Sequence, residues 1–235
     1  MEARWMMPLN VFKEHVLKDK TIDELYELVE GFRIEKVFLK VQKEKENIGT
    51  FEFPSEEMIE KVDSYREYIK ETYSYIEELD GKVKRADAEE VAWKFQVNLS
   101  NIQKVEYSIG GYFGGFDEYV LIFEEEQVHV TLNNSQLAFD RRNARVDKES
   151  FLKEFSDLHI GEWRESYLDS DYGNQVLDGT SWGLKVYYSD EREFVEFGGS
   201  NAFPYNFALF NQLVENIFDE ENNANERDDR NIEFS

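Results

Sequence analysis

Apolar residues recur along this chain first at helical intervals and then at every second position, and the change of period divides it. Thr21 followed by Glu24 has the form of a capping box, after which Ile22, Leu25, Tyr26 and Val29 keep helical spacing as far as Gly31. A short helix is expected before it, around Asn10 to Lys18. From Ile34 to Phe53 the spacing changes: Val37, Leu39 and Val41 alternate with polar neighbours and Phe51 alternates with Phe53, which predicts two strands about a turn at Glu44 to Gly49. Ser55 is placed to cap a helix running to Leu79, with Glu56 and Glu57 at the positive end of its dipole. Met58, Val62, Tyr65, Ile69, Tyr73, Ile76 and Leu79 form its apolar stripe. Asp80-Gly81 ends that helix, and Lys82 to Asp87 reads as a hinge.

A second capping pattern, Asp87 with Glu90, precedes Val91, Trp93 and Phe95. From Ile102 the period is two. Val105, Tyr107 and Ile109, then Tyr119 to Phe123, then Val128, Val130 and Leu132 predict an antiparallel meander, with turns at Gly110 to Gly115 and Glu124 to Glu126. A helix is expected from Lys148 to Leu158, with Phe151, Leu152 and Phe155 inward. A hairpin follows, Trp182 to Tyr188 turning into Val195 and Phe197, and Pro204 suits the first turn of a last helix bearing Phe207, Phe210, Leu213, Val214 and Ile217. The fold class is therefore α+β: a mainly helical region at 1–81, an antiparallel-sheet domain with covering helices at 87–218, and a tail at 219–235. That tail holds seven acidic residues and two arginines and is expected to be disordered, because it has too little apolar surface to offset its ordering entropy.

Composition sharpens this picture. A 235-residue chain that is 41% hydrophobic and 15% aromatic can bury a substantial core, which sets aside disorder for all but the tail. Its 51 acidic and 27 basic residues give a net charge of −24, a field that repels phosphate backbones and anionic headgroups and attracts cationic surfaces. Direct nucleic-acid and membrane contacts are therefore not expected, whereas a basic protein partner is. Charge of this size also serves solubility alone. Cysteine is absent, which removes disulfides, thiolate nucleophiles and thiolate metal sites. No apolar stretch approaches the ~18 residues that a bilayer requires, and MEARWMMPLN lacks the build of a secretory signal, so a soluble cytoplasmic protein is expected.

Candidate chemistry is sparse. The candidate metal ligands are Asp169, Asp171 and Asp178, which with Gly173 and Asn174 loosely follow a calcium loop; its sixth and twelfth positions hold Asn174 and Thr180 in place of glycine and glutamate, which favours a polar turn. Gly110 to Gly115 lacks the Lys-Ser/Thr ending of a phosphate loop and reads as a hairpin connection. Gly198-Gly199-Ser200-Asn201 precedes the last predicted helix, where backbone N–H groups can bind an anion or cap the helix. His15, His129 and His159 fall in separate elements, and His129 is expected on the side of its strand away from Val128 and Val130. No cofactor motif is present.

Trp163 with Tyr167, then Asp178-Gly179-Thr180-Ser181-Trp182, then Gly199-Ser200-Asn201 with Pro204 and Asn206-Phe207 form a recognisable block. It resembles one that recurs in uncharacterised bacterial proteins. The resemblance covers residues 163–207 and implies a bacterial cytoplasmic α+β domain in which the Asp-Gly-Thr-x-Trp turn and the Gly-Ser-Asn loop are structural. No activity comes with it.

The leading expectation is a non-enzymatic, acidic interaction protein that binds and neutralises a basic macromolecule, as an immunity protein or a nucleic-acid mimic does. Its candidate partner-binding residues are Tyr112, Phe113, Phe116, Asp117, Glu118, Glu124, Glu125, Glu126 and Tyr172, aromatics interleaved with carboxylates around the turns. The alternative is a small-molecule binding protein or hydrolase using two carboxylates in a cleft near Gly110 to Phe116 and Asp169 to Trp182.

Overall fold

The computed structural model describes residues 7–111, 114–135, 142–173, 179–189 and 194–218. The chain divides into two units, Met1–Glu46 with Phe53–Ala86, and Asn47–Glu52 with Asp87–Ser235. The division at Ala86 falls inside the segment read as a hinge. The transfer of residues 47–52 to the second unit has no counterpart in the spacing of the sequence.

The first unit is helical. Helix α1 (Leu9–Phe12) continues into a π-helical turn at Lys13–Leu17, and α2 (Ile22–Glu46) and α3 (Glu56–Glu78) pack against each other. Thr21 and Glu24 close the capping box: the Thr21 N–H donates to Glu24 Oε2 at 2.8 Å and the Glu24 N–H to Thr21 Oγ1 at 3.3 Å. The Thr21 backbone N–H holds the Glu24 carboxyl below its usual range. Ser55 caps α3 by accepting from the Met58 N–H at 3.2 Å. Leu25 and Val29 of α2 share a core with Phe12, Leu17, Ile69, Tyr73 and Ile76. The segment after α3 is pinned to α2, since the Tyr26 hydroxyl donates to Lys82 O at 2.5 Å and accepts from the Lys84 N–H at 2.9 Å.

The two strands expected between Ile34 and Phe53 are absent: α2 runs through Gly31 to Glu46, and the following residues up to Pro54 form neither strand nor helix. A mid-helix glycine costs only about 1 kcal/mol, and the good helix formers Glu35, Lys36, Leu39, Lys40, Lys43 and Glu44 carry the helix onward. The alternation of Val37, Leu39 and Val41 was ambiguous, because Ile34, Val37, Phe38 and Val41 also fit one helical face.

The second unit is a seven-stranded sheet in the order β4-β3-β2-β1-β6-β7-β5. Its strands are β1 (Ile102–Gly111), β2 (Gly115–Phe123), β3 (Gln127–Asn134), β4 (Arg142–Asp147), β5 (Ser166–Leu168), β6 (Ser181–Tyr188) and β7 (Val195–Ser200). All pairings are antiparallel except that of β5 with β7. The helices are α4 (Asp87–Val97), α5 (Lys148–Asp157) and α6 (207–218). Asp147 caps α5 by accepting from the Ser150 N–H at 2.8 Å. Pro204 sits in the turn before α6, its carbonyl accepting the Phe207 N–H at 3.1 Å, and not within the helix's first turn as expected. The acidic tail lies outside the described residues.

One sheet face builds the core. Val105, Tyr107, Tyr119, Leu121, Val128, Val130, Trp182, Leu184 and Phe197 meet Phe151 and Phe155 of α5, Phe95 of α4, and Phe207, Phe210 and Val214 of α6. Within this aromatic mass two polar side chains, Trp163 and Tyr107, are paired by side-chain amides. The Trp163 indole N–H donates to Asn206 Oδ1 at 2.8 Å, and Asn206 Nδ2 donates to Leu158 O at 2.7 Å. The Tyr107 hydroxyl donates to Asn211 Oδ1 at 2.6 Å, and burial pushes its pKa well above the usual phenol value.

The residues of the recognisable block meet here. The Trp182 indole N–H donates to Ala202 O at 3.0 Å, and the Asn201 N–H to Thr180 O at 2.9 Å. Asn201 has a φ of 54°, and a Cβ on Gly179 would lie 1.5 Å from Asn201 Oδ1, so a larger residue at 179 would force the Asn201 side chain to move. The 47–52 segment joins the same place. Asn47 Nδ2 donates to Pro204 O at 3.1 Å, the Gly49 N–H donates to Asn201 O at 2.7 Å, and Phe51 packs on Phe203 and Phe207 with centroids 4.9 and 5.0 Å away.

Replacing Asn206 strands two buried groups, the Trp163 N–H and the Leu158 carbonyl, so Asn206→Ala should destabilise the protein by about 2–4 kcal/mol in urea denaturation. A loss below about 1 kcal/mol would show that the amide bridge is dispensable.

Candidate interaction surface

Strand alternation turns a second set of residues to the other face of the sheet. The register aligns Arg145, His129, Ile122, Lys104 and Tyr187 in one row across β4, β3, β2, β1 and β6. The next row holds Asn143, Thr131, Val120, Glu106, Lys185 and Glu196. At the centre Lys104 Nζ lies 2.8 Å from Glu106 Oε1 and 4.0 Å from the Tyr187 ring centroid, and the Tyr187 hydroxyl donates to Glu106 Oε2 at 2.8 Å. Beside them Lys185 pairs with Glu196 at 3.2 Å and lies 5.2 Å from the Phe194 ring. The hydrogen bond from Lys104, reinforced by that from Tyr187, holds the Glu106 carboxyl below its usual range, and the same bond raises the Tyr187 phenol.

This face carries only a small part of the acid excess. Lys104, Lys185 and Arg145 stand against Glu106, Glu118, Glu196 and Asp147, a net charge of −1. The excess is partitioned by unit instead. The second unit has 12 basic and 32 acidic residues, a net charge of −20, and the first has 15 and 19, a net charge of −4. A dense patch lies where the β2–β3 turn meets the start of α5. Lys148 donates through its backbone N–H to Glu126 O at 2.9 Å and through Nζ to Glu124 O at 2.8 Å. Glu124, Glu125, Glu126, Asp147 and Glu149, all exposed, surround this single lysine. The Ser150 backbone N–H holds the Asp147 carboxyl below its usual range, so it stays ionised.

The expected partner-binding residues fall in separate places. Phe116, Asp117 and Glu118 begin β2 opposite Gly110, Ile109 and Ser108, and Asp117 accepts from Asn134 Nδ2 at 2.7 Å. Glu124, Glu125 and Glu126 follow the other end of that strand, roughly 23 Å from Asp117 at the ordinary rise of a strand. Tyr172 lies in a 3-10 turn after β5, at the opposite edge of the sheet from β4, and accepts a hydrogen bond from Arg164. Tyr112 and Phe113 lie outside the described residues.

Asp169 and Asp171 belong to the same turn as Tyr172 and accept backbone N–H groups, Ser170 at 2.8 Å and Leu168 at 3.2 Å. Asp178 lies outside the described residues, among which no three His, Asp or Glu side chains come together as a metal site. Gly198, Gly199 and Ser200 are in β7, several residues from the start of α6, so they do not form a helix N-terminus. His129 is half-buried on the outer face, between Ile122 and Arg145. Among the described residues one carboxylate is buried, Glu44 of α2, and it belongs to the first unit, whereas the turns expected to hold a carboxylate pair belong to the second.

The Lys104–Glu106–Tyr187 group escaped sequence reading. That Lys104 and Glu106 share a face is visible in the alternation, but the partner row on β6 lies about 80 residues further on. No protein-family model, curated protein or solved structure matches the chain. Among the described residues no helix is long and apolar enough to cross a membrane.

A carboxyl whose pKa is lowered by folding stabilises the fold above the usual carboxylate range and loses that contribution as the pH falls through its folded value. Wild type should therefore exceed Glu106→Gln in thermal stability at neutral pH, and the gap should close on acidification. A gap independent of pH would mean that ionisation of Glu106 contributes nothing.

Proposed function

We propose that the protein is a non-enzymatic binding protein that captures and neutralises a basic macromolecule through its sheet unit, in the manner of an immunity protein or a nucleic-acid mimic. The observation that carries this reading is the partition of charge, −20 on the sheet unit against −4 on the helical one. A field of that sign accelerates encounter with cationic proteins and rejects polyanions. Glu124, Glu125, Glu126, Asp147 and Glu149 form an exposed acidic patch on this unit, and Asp147 is committed to capping α5. Glu124, Glu125, Glu126 and Glu149 are therefore the side chains offered to a partner. In this reading the block at 163–207 sets the sheet and α6 in place and takes no direct part in contact.

Capture by the full chain from its host tests the reading. Partners should be basic, should elute between about 0.1 and 0.5 M salt, and should bind at least about tenfold more weakly to a variant with Glu124, Glu125, Glu126 and Glu149 all changed to Gln. Neutral or acidic partners, or retention unaffected by salt, would refute it.

A further inference from the structure

The second half of α2 is amphipathic in the reverse sense. Ile34, Val37 and Phe38 are 59%, 52% and 56% exposed, whereas Lys36, Lys40, Lys43 and Glu44 of the same helix are buried. The exposed positions Glu27, Gly31, Ile34, Phe38 and Lys45, with the half-buried Val41, follow one another at alternating steps of four and three, the spacing of a helix–helix seam. Gly31 belongs to this seam. A Cβ there would meet nothing within 4 Å, so the fold of the single chain does not require glycine, which costs about 1 kcal/mol against alanine inside a helix.

We propose that this seam is a self-association surface, on which a second copy of the chain packs its α2 antiparallel across a two-fold axis near Lys36. The seam is self-complementary in that arrangement alone. Ile34 meets the partner's Phe38, Gly31 makes room for the partner's Val41, and Glu27 faces the partner's Lys45 at both ends. A parallel pair would set Glu27 against the partner's Glu27 and Lys45 against the partner's Lys45, which is repulsive. An isologous contact of this kind needs one surface only, and it lies on the unit that carries −4 of the net −24, where two copies repel least. The seam spans about five helical turns, of which only the roughly three from Gly31 to Val41 are uncharged on this side, and it buries less than the ~1,000 Å² of a durable interface, so the dimer is weak, with a dissociation constant of about 10–100 μM.

Sedimentation velocity of the full chain from about 5 to 500 μM reads this directly. Wild type should pass from monomer to dimer over that range, and Phe38→Glu should stay monomeric with an unchanged far-ultraviolet circular dichroism spectrum. Lys45→Glu should weaken the dimer about five- to tenfold, and adding Glu27→Lys to it should restore affinity to within about threefold of wild type. The charge exchange needs no apolar substitution and specifies the antiparallel register. A wild type that remains monomeric at the highest concentration, a dimer untouched by Phe38→Glu, or a double exchange no better than Lys45→Glu would each overturn the proposal.

Discussion

The sheet unit depends on a polar atom inside an aromatic core. Trp163 stands edge-on to Phe210, Phe197 and Trp182, and its indole N–H has no water to turn to. Asn206 answers it and passes a second hydrogen bond to the Leu158 carbonyl, so one side chain ties the turn after α5 to the entry of α6. Such a bridge is unforgiving, since each member would be costly to bury alone. With α6 set at that angle, Phe207 and Phe210 reach Trp182 and Tyr107 on the sheet. The inner face is thereby fixed, and alternation fixes which residues the outer face displays.

Much of this architecture was legible from period alone. The stripe of α3, its Ser55 cap, the β1–β2–β3 meander, α5 and the β6–β7 hairpin announce themselves because burial on one side imposes a strict spacing. Short or polar elements do not. Strand β4 buries little beyond Ala144 and β5 is three residues long, so neither shows an apolar rhythm. Helix α2 failed for the opposite reason: from Ile34 onward its apolar side faces outward and its lysines inward, which contradicts the assumption that apolar positions mark the core. The candidate surface was half visible. A run of three glutamates at 124–126 is plain in the sequence, but its meeting with Asp147 and Glu149 depends on the β3–β4 pairing and the backbone bond from Lys148.

Excess charge is segregated in this molecule, whereas exposed apolar side chains occur on both units, Ile34, Val37 and Phe38 on the helical one and Val91, Trp93 and Val97 on the other. The sheet unit holds most of the excess carboxylate, and on its outer face Lys185 is aligned between Glu106 and Glu196 across the strands. The helical unit is close to neutral and presents the outward stripe of α2. Attraction at long range and adhesion at short range follow different laws, the first falling with ionic strength and the second scaling with area removed from water. The acidic cluster at Glu124 to Glu126 and the outward stripe of α2 lie on different units, so each can be changed by substitution without altering the other.

The 47–52 segment carries a temporal consequence. Asn47 is bonded to a carbonyl 157 residues further along, and Phe51 rests on rings that follow it by a similar distance. At a synthesis rate of about 5–20 residues per second, this stretch leaves the ribosome roughly 8–30 s before its seat exists. Until then Phe51 has no companion rings and the Asn47 amide is solvated. Contacts so distant in sequence close late and slow the search for the native state, so the sheet unit cannot be completed from its amino-terminal side. Its final step is the arrival of Pro204 and α6, which lock a segment made long before them.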